Sequence, residues 1–321
     1  MKKTELTRRN FIKQSAVAGS ALFVPASGIA NNLMTLNRLE SDKLNVFIFS
    51  KALQFLDYTN MSEAVKEMGY DGIDLTVRPK GHVLPENVEE DLPKATEAMK
   101  SYDLLASMLS TNIADASAPV SIKVLETASQ LGYQYYRTAW FRYNRDEEIL
   151  KSLDFAKQHL SELAELNKKL KISGAYHNHS GNYMGAAIWD LHQVLENLSP
   201  KYMGSQYDIM HATIEGGKNW EYNFMLIKPY INSIVVKDFA WKKINGKWSA
   251  QYVPLGEGMV DLKKFFSLLK KYNINVPISI HVEFDLGGAE HGKKPTIDSS
   301  EVLARIKKEL DYVRETWAKI S

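Results

Sequence analysis

Residues 44–50, LNVFIFS, and residues 233–239, SIVVKDF, each contain an unbroken apolar run of strand length. Strands buried on both faces have this pattern, which is typical of a parallel sheet covered by helices. Six further candidate strands lie at 72–77, 105–111, 134–140, 172–179, 204–210 and 278–285. Between the strands, apolar residues recur at helical spacing, most clearly at 62–68, 146–168, 262–272 and 300–317. Eight alternating strand and helix units predict an α/β fold, a (β/α)8 TIM barrel.

An open, doubly wound sheet is the alternative fold. Such a sheet would normally have a glycine-rich loop after its first strand, and residues 50–53, SKAL, contain no glycine. The chain has 321 residues, 45% of them hydrophobic, which is enough for one large core. We therefore predict a single barrel domain over residues 44–321.

One predicted insertion interrupts the alternation of strands and helices. Residues 241–248 (WKKINGKW) contain the pair Asn245-Gly246, which favours the type I′ turn of a β-hairpin. The hairpin follows the seventh strand and is expected to overhang the mouth of the barrel.

The first thirty residues have the character of a targeting segment. Arg8 and Arg9 precede Phe11, a mildly apolar stretch follows at 15–24, and small residues stand at 28–30. This arrangement resembles a twin-arginine export signal, so we expect a signal peptide at 1–30, a linker at 31–43 and a periplasmic protein. A basic, frayed N-terminal helix is the alternative.

The balance of charge and the absence of cysteine restrict the partners and the chemistry. The chain carries a net +2, but residues 1–30 carry +4, so the remainder is slightly acidic at −2. That balance argues against nucleic acid or an anionic membrane as a partner. No cysteine is present, so any metal must be bound by nitrogen and oxygen ligands. Beyond the first thirty residues we expect no membrane span, and a homo-oligomer is compatible with the sequence.

Polar side chains gather where the predicted strands end. In this fold the C-terminal ends of the strands carry the active site. Asp208 and Glu283, on the sixth and eighth strands, would repel each other inside the barrel unless a cation, a metal or a lysine, lay between them. Strand alternation places Lys237 on the same face as Val235. The polar residues at the strand ends are Arg78, His82, Arg137, Trp140, His177, Asn178, His179, Asp208, His211, Lys237, Asp238, His281 and Glu283.

The order and spacing of six motifs resemble the xylose-isomerase-like TIM barrels over about residues 44–316. The motifs are residues 69–75 (GYDGIDL), 177–179 (HNH), Asp208-x-x-His211, Lys237-Asp238, residues 254–258 (PLGEG) and Glu283. The group includes sugar isomerases, ketose epimerases, inosose dehydratases and, more distantly, endonuclease IV. The resemblance implies a carbohydrate as the small-molecule partner.

The resemblance also implies a divalent cation, Mn, Co, Mg or Zn, held by Glu, Asp, His and Glu from the fifth to eighth strands. At these positions this chain has His177, Asp208, Val235 and Glu283. Valine cannot bind a metal, so His211 or His281 would have to replace it. We expect the ligands His177, Asp208, His211 and Glu283, with His281 as a core or supporting residue.

The expected function is a sugar isomerase or epimerase that removes a proton beside a carbonyl with help from the metal, or from Lys237 without one. The candidate catalytic residues are Lys237, Glu283 and His179. The candidate substrate-binding residues are Arg78, His82, Arg137, Trp140 and Asp238. Arg78 and Arg137 would suit a phosphosugar, but export favours neutral substrates.

Two other functions stay open. The ketose epimerases that this chain resembles work with two opposed glutamates, and this chain has His177 in place of one of them. That difference favours a lyase or hydratase that acts on keto-sugars or keto-glycosides by β-elimination. A non-catalytic barrel could bind carbohydrate by stacking on Trp140, Trp189, Trp241 and Trp248. Endonuclease activity is disfavoured, because the sequence has no basic stripe with interleaved aromatic residues.

Overall fold

The computed structural model describes residues 43–320, which form a closed barrel of eight parallel strands. The predicted (β/α)8 fold is confirmed. The barrel strands are β1 (Val46–Phe49), β2 (Gly72–Val77), β3 (Leu105–Thr111), β4 (Tyr135–Arg137), β5 (Ser173–His177), β6 (Met203–Asp208), β7 (Ile231–Val236) and β10 (Ile278–Ile280). They follow one another around the barrel in chain order, and β10 closes it by pairing with β1 and β7.

Nine α-helices are found in the described part of the chain. They are α1 (Tyr58–Met68), α2 (Val88–Ser101), α3 (Pro119–Leu131), α4 (Ile149–Leu170), α5 (Ile188–Leu195), α6 (Ile209–Gly216), α7 (Trp220–Ile227), α8 (Leu262–Lys271) and α9 (Ser299–Ala318). Short 3₁₀ turns at Ser50–Leu53 and Pro85–Asn87 follow β1 and precede α2. None of the helices between residues 43 and 320 is both long and apolar enough to cross a bilayer.

The apolar core lies between the strands and the surrounding helices. Tyr207 of β6, for example, packs its ring 5.8 Å from that of Phe224 and 5.9 Å from that of Phe265, which come from α7 and α8. Burial of each such side chain contributes about 1.5 to 3 kcal/mol, so this layer supplies most of the stability.

The interior of the barrel is more polar than the layer outside it. Asp74 of β2 is fully buried and accepts hydrogen bonds from the hydroxyls of Ser110 on β3, at 2.9 Å, and Ser279 on β10, at 2.8 Å. Below it, a Cβ on Gly72 would lie 2.5 Å from the Phe47 ring and 2.4 Å from the Leu105 carbonyl oxygen. Glycine is therefore required at position 72, and the polar interior begins above the Phe47 ring.

The predicted hairpin is present. Strands β8 (Asp238–Ile244) and β9 (Lys247–Val253) pair antiparallel directly after β7. Asn245 and Gly246 both have positive φ, 50° and 81°, as a type I′ turn requires. Tyr252 of β9 reaches back to the barrel, where its ring centroid lies 5.6 Å from Lys237 Nζ.

Several strands are shorter than expected, and two of them differ most. Residues 134–140 form a strand only at Tyr135–Arg137, and residues 278–285 only at Ile278–Ile280. Beyond these points the chain leaves the sheet at the mouth of the barrel. The predicted signal peptide at 1–30, and all of the linker at 31–43 except Lys43, lie outside the described residues, so both stay predictions.

Candidate active site

A cavity of about 90 Å³ lies at the C-terminal ends of the barrel strands. A larger cavity of about 570 Å³ opens at the opposite end, beside residues that begin β4, β5 and β7. Since barrels of this type carry their chemistry at the C-terminal ends, the smaller cavity is the candidate active site. It is lined by Phe49, Lys51, Arg78, Arg137, Trp140, His177, His179, Lys237, His281 and Glu283.

The Lys237 ammonium lies between two carboxylates. Its Nζ is 3.1 Å from Asp208 Oδ2 and 3.1 Å from Glu283 Oε2, and its side chain is only 3% exposed. Burial alone would lower the pKa of Lys237, but the charges of Asp208 and Glu283 outweigh that effect and raise it above the ordinary value. Lys237 is therefore a fixed positive charge.

Asp208 is held by the backbone where β6 turns into α6. Its Oδ1 caps the helix by accepting hydrogen bonds from the N–H groups of Met210, at 2.9 Å, and His211, at 3.1 Å. Burial would raise the pKa of Asp208, but Lys237 and His211 outweigh burial and lower it. The spacing Asp208-x-x-His211 is thus explained by a helix cap, which also brings His211 to the site.

Glu283 is bound by lysines through both of its oxygens. Oε1 lies 3.1 Å from Lys51 Nζ, and Oε2 is the partner of Lys237. Burial would raise the pKa of Glu283, but Lys237 and then Lys51 hold it well below its ordinary value. Such a carboxylate is a weak base, so Glu283 is placed to position Lys237 rather than to remove a proton.

Two of the four histidines at the site contact Asp208. His177 Nε2 lies 3.0 Å from Asp208 Oδ2, and His211 Nε2 lies 3.7 Å from the same oxygen. His211 Nδ1 lies 2.8 Å from the Ser180 hydroxyl. Burial, followed by the charge of Lys237, lowers the pKa of His177 and of His211 well below the ordinary value. Both side chains are therefore neutral.

His179 has a defined tautomer. Its Nδ1 lies 3.0 Å from the Ser180 carbonyl oxygen, which can only accept a hydrogen bond, so Nδ1 carries the proton. Within residues 43–320 its Nε2 has no hydrogen-bond partner, and the ring lines the cavity. His179 thus presents an unprotonated nitrogen to the cavity, as a general base must.

The expected metal ligands come together only in part. His177, Asp208 and His211 offer ligand atoms within 4.8 Å of one another, whereas Glu283 does not join that group. Lys237 separates Glu283 from Asp208, and a cation bound to Asp208 Oδ2 would lie beside the ammonium, which is 3.1 Å from that oxygen. His281 stacks on Phe49 at 4.1 Å, its Nε2 lies 3.9 Å from Asp74 Oδ2, and it is not one of the three residues whose ligand atoms come together. The residues present therefore do not fit the four-ligand cation site.

Three of the expected substrate-binding residues line the cavity. The Arg137 guanidinium lies 4.3 Å from the Trp140 ring centroid, and that of Arg78 lies 5.3 Å from the centroid of Phe49. Trp140 is anchored because its indole N–H donates to the His177 carbonyl oxygen at 3.0 Å. Burial, and then the charge of Arg78, lowers the pKa of Arg137 to about 9.

His82, the fourth expected substrate contact, lies outside the cavity lining. Its backbone N–H donates to the Thr76 hydroxyl at 2.9 Å, and its ring nitrogens lie 3.1 Å from Ser50 Oγ and 3.3 Å from the Leu53 carbonyl oxygen. These contacts fix the turn that carries Lys51. The polar atoms of His82 are used in supporting the turn, and its substrate-binding role stays a prediction.

Asp238, the fifth expected substrate contact, is also outside the cavity lining. Its carboxylate accepts four backbone hydrogen bonds, from the N–H groups of Phe239, Gly256, Gly258 and Val260, at 2.8 to 3.1 Å. A Cβ at Gly258 would lie 2.2 Å from Asp238 Oδ1, so the loop can approach the carboxylate only with glycine there. The motif at 254–258 therefore wraps around Asp238, which has no capacity left for a substrate.

Two lining residues were missed by the sequence interpretation. Lys51 and Phe49 follow and end β1, and the rule that strand ends carry the site would have found both. Of the four tryptophans considered as stacking platforms, only Trp140 lines the cavity. Trp189, Trp241 and Trp248 are exposed elsewhere, by 58%, 42% and 66%.

Comparison with known proteins agrees with this geometry. The family described as "Xylose isomerase-like TIM barrel" matches residues 62–307. The chain belongs to this family. A search of curated proteins finds no match to the sequence.

Solved structures share the fold at low identity. A D-tagatose 3-epimerase-like protein is 16% identical with a TM-score of 0.61, covering 85% of this chain and 99% of its own. The 3-keto-D-glucoside 4-epimerase YcjR from E. coli is 13% identical with a TM-score of 0.64, covering 85% and 100%. The probable 3-DHS dehydratase AsbF from Bacillus anthracis is 14% identical with a TM-score of 0.60, covering 84% and 99%.

Proposed function

We propose that the chain is an enzyme that removes a proton beside a sugar carbonyl, as an aldose–ketose isomerase does. The observation that carries the proposal is the Lys237 ammonium, fixed between Asp208 and Glu283 in a cavity that also exposes the free Nε2 of His179. Family membership supports a carbohydrate substrate, because the similar structures include epimerases of sugars.

Lys237 supplies the positive charge that the reaction needs. An ammonium has three N–H donors, and two are directed at Asp208 and Glu283, so the third is available to a substrate oxygen. When His179 Nε2 takes the proton from carbon, the electron pair moves onto the carbonyl oxygen and forms an enediolate. The fixed ammonium stabilises this oxygen without reorganisation.

Return of the proton decides the product. His179 gives the proton to the neighbouring carbon, while a hydroxyl proton moves between the two substrate oxygens, which converts an aldose to a ketose. Both oxygens of Glu283 are bound by lysines, so Glu283 cannot act as the second, opposed base that epimerisation needs. Isomerisation by one base is therefore favoured over epimerisation by two.

β-Elimination on a keto-sugar or keto-glycoside is the second candidate. It shares the first step, needs only one base, and ends when the bond to a leaving oxygen on the next carbon breaks. The specific observation in its favour is Lys51, an ammonium in the same cavity that can donate a proton to that oxygen.

The test is solvent deuterium incorporation in D2O, with a panel of aldoses, ketoses and 3-keto-glycosides, followed by mass spectrometry. We expect deuterium at the carbon beside the carbonyl and an isomeric product. Lys237→Met and His179→Gln should each reduce the rate about 100-fold or more. The exposed His291, changed to Gln, is the matched control and should leave the rate unchanged.

Other outcomes separate the alternatives. An unsaturated product that absorbs in the ultraviolet would support elimination instead. Sugar binding measured by calorimetry without exchange from any member of the panel would contradict the proposal and leave a non-catalytic binding barrel.

A further inference from the structure

Two arginine side chains line one wall of the active-site cavity with most of their hydrogen-bonding capacity unused. The Arg137 side chain is 3% exposed and donates one bond, from Nη2 to the Thr111 carbonyl oxygen at 3.1 Å, while its Nε has no partner. Within residues 43–320 the Arg78 guanidinium makes neither an ion pair nor a hydrogen bond, and only lies against Phe49. A guanidinium has five N–H donors, and leaving those of the buried Arg137 unpaired is costly, whereas Arg78 is only partly buried.

The charges of the cavity do not balance. Lys51 and Lys237 are matched by direct contacts with Glu283 and Asp208. The two guanidiniums have no carboxylate in direct contact, and the buried Asp74, which is bound by serine hydroxyls, and Glu283 act on both of them from a distance. The four cationic side chains Lys51, Lys237, Arg78 and Arg137 thus stand against three carboxylates, Asp74, Asp208 and Glu283, which leaves one positive charge over.

The two guanidiniums are also held in place before any ligand arrives. The guanidinium carbon of Arg137 lies 4.3 Å from the Trp140 ring centroid, that of Arg78 lies 5.3 Å from the Phe49 ring centroid, and the Thr111 carbonyl oxygen accepts a hydrogen bond from Arg137. Arginine presents a planar fork of donors that matches the two oxygens of a carboxylate. Because the side chains are already ordered, a ligand would lose little of its binding energy to ordering them.

We propose that the substrate carries an oxyanion that Arg78 and Arg137 bind, so that the carbohydrate is a sugar acid rather than a neutral sugar. This inference names the substrate class for the proposed function. It rests on that proposal for the reaction itself, which was assigned to Lys237 and His179. A carboxylate, with a single negative charge, matches the surplus better than a phosphate with nearly two. The structure thus favours a different substrate class from the neutral sugars that export alone would suggest.

The test compares matched ligands by calorimetry. D-Glucuronate and D-galacturonate are titrated against D-glucose and D-galactose, which have a neutral hydroxymethyl group in place of the carboxylate at C6, and against the 6-phosphates of the two sugars. We expect a uronate to bind at least 10-fold more tightly than its neutral counterpart. Arg78→Met should remove that preference, and Arg137→Lys should weaken it, while the melting temperature reports whether each variant is folded.

Arg142→Met is the matched control. Arg142 also stacks on an aromatic ring, that of Tyr183 at 4.1 Å, but it lies outside the cavity lining. This variant should keep the full preference for the uronate.

The outcomes distinguish this inference from the proposed function. Equal binding of charged and neutral sugars, or a preference that survives Arg78→Met, would overturn the inference even if neutral sugars exchange deuterium. Uronate binding that depends on Arg78, without any exchange, would keep the inference and overturn the proposed function. Tighter binding of a 6-phosphate would keep the oxyanion site and make phosphate its source.

Discussion

Replacement of Lys237 by methionine removes the charge that holds two carboxylates together and keeps a side chain of similar length. Asp208 is fully buried and loses an ammonium at 3.1 Å, and Glu283 loses one of its two lysines. Removing one partner of a buried ion pair costs about 3 to 5 kcal/mol, because an uncompensated charge remains inside. We expect Lys237→Met to lose stability on this scale.

Lys51→Met provides the matched comparison. Lys51 contacts the same glutamate at the same distance, 3.1 Å, but its side chain is 23% exposed. A partly exposed pair contributes about 1 kcal/mol or less, so the loss should be several times smaller. Urea unfolding at pH 7, followed by circular dichroism and tryptophan fluorescence, measures both changes. Similar, small losses for the two variants would refute the view that Lys237 is the fixed counter-charge of the site.

Three further predictions concern other parts of the chain. Burial raises the pKa of Glu309 to about 7, so the stability linked to its protonation is present below about pH 4.5 and is lost as pH rises through 7. Between pH 5 and 8 this effect should lower the free energy of unfolding by on the order of 3 kcal/mol. Glu309→Gln should remove that part of the pH dependence, and an unchanged pH dependence in the variant would contradict the prediction. Asp238→Ala strands four backbone N–H groups and should cost about 3 kcal/mol or more in urea unfolding, whereas a loss below about 1 kcal/mol would show that the loop does not depend on it. Replacing Arg8 and Arg9 by lysine should keep the unprocessed protein in the cytoplasm, and normal export of the double variant in cell fractionation would disprove the twin-arginine prediction.

The fold was predictable because its signal is periodic and repeated. Apolar runs such as VFIF at 46–49 recur between helical patterns, and their number alone separates a barrel from an open sheet. The convergence of Asp208, Lys237 and Glu283 was also predictable, since all three lie at or just beyond the C-terminal ends of strands, which meet at one mouth of the barrel.

Individual roles were harder to predict, because a polar residue at a strand end can serve the site or the scaffold. Asp238 directly follows Lys237, yet the alternation of the chain turns it toward the 256–260 backbone instead of the cavity. His82 likewise supports the turn that carries Lys51. Sequence spacing gives the face of a strand but not the loop that packs against it, so it could not show that these two side chains contact the backbone of a loop and of a turn.

The central claim is that the Lys237 ammonium, rather than a bound divalent cation, supplies the charge for proton removal beside the sugar carbonyl. The most direct measurement is the deuterium exchange rate of the wild-type protein before and after exhaustive dialysis against a chelator, with elemental analysis of the same samples. We predict an unchanged rate in protein that holds less metal than one ion per chain. Loss of exchange on chelation, restored in proportion to added Mn²⁺, Co²⁺, Mg²⁺ or Zn²⁺, would contradict the claim and assign the charge to a metal at His177, Asp208 and His211.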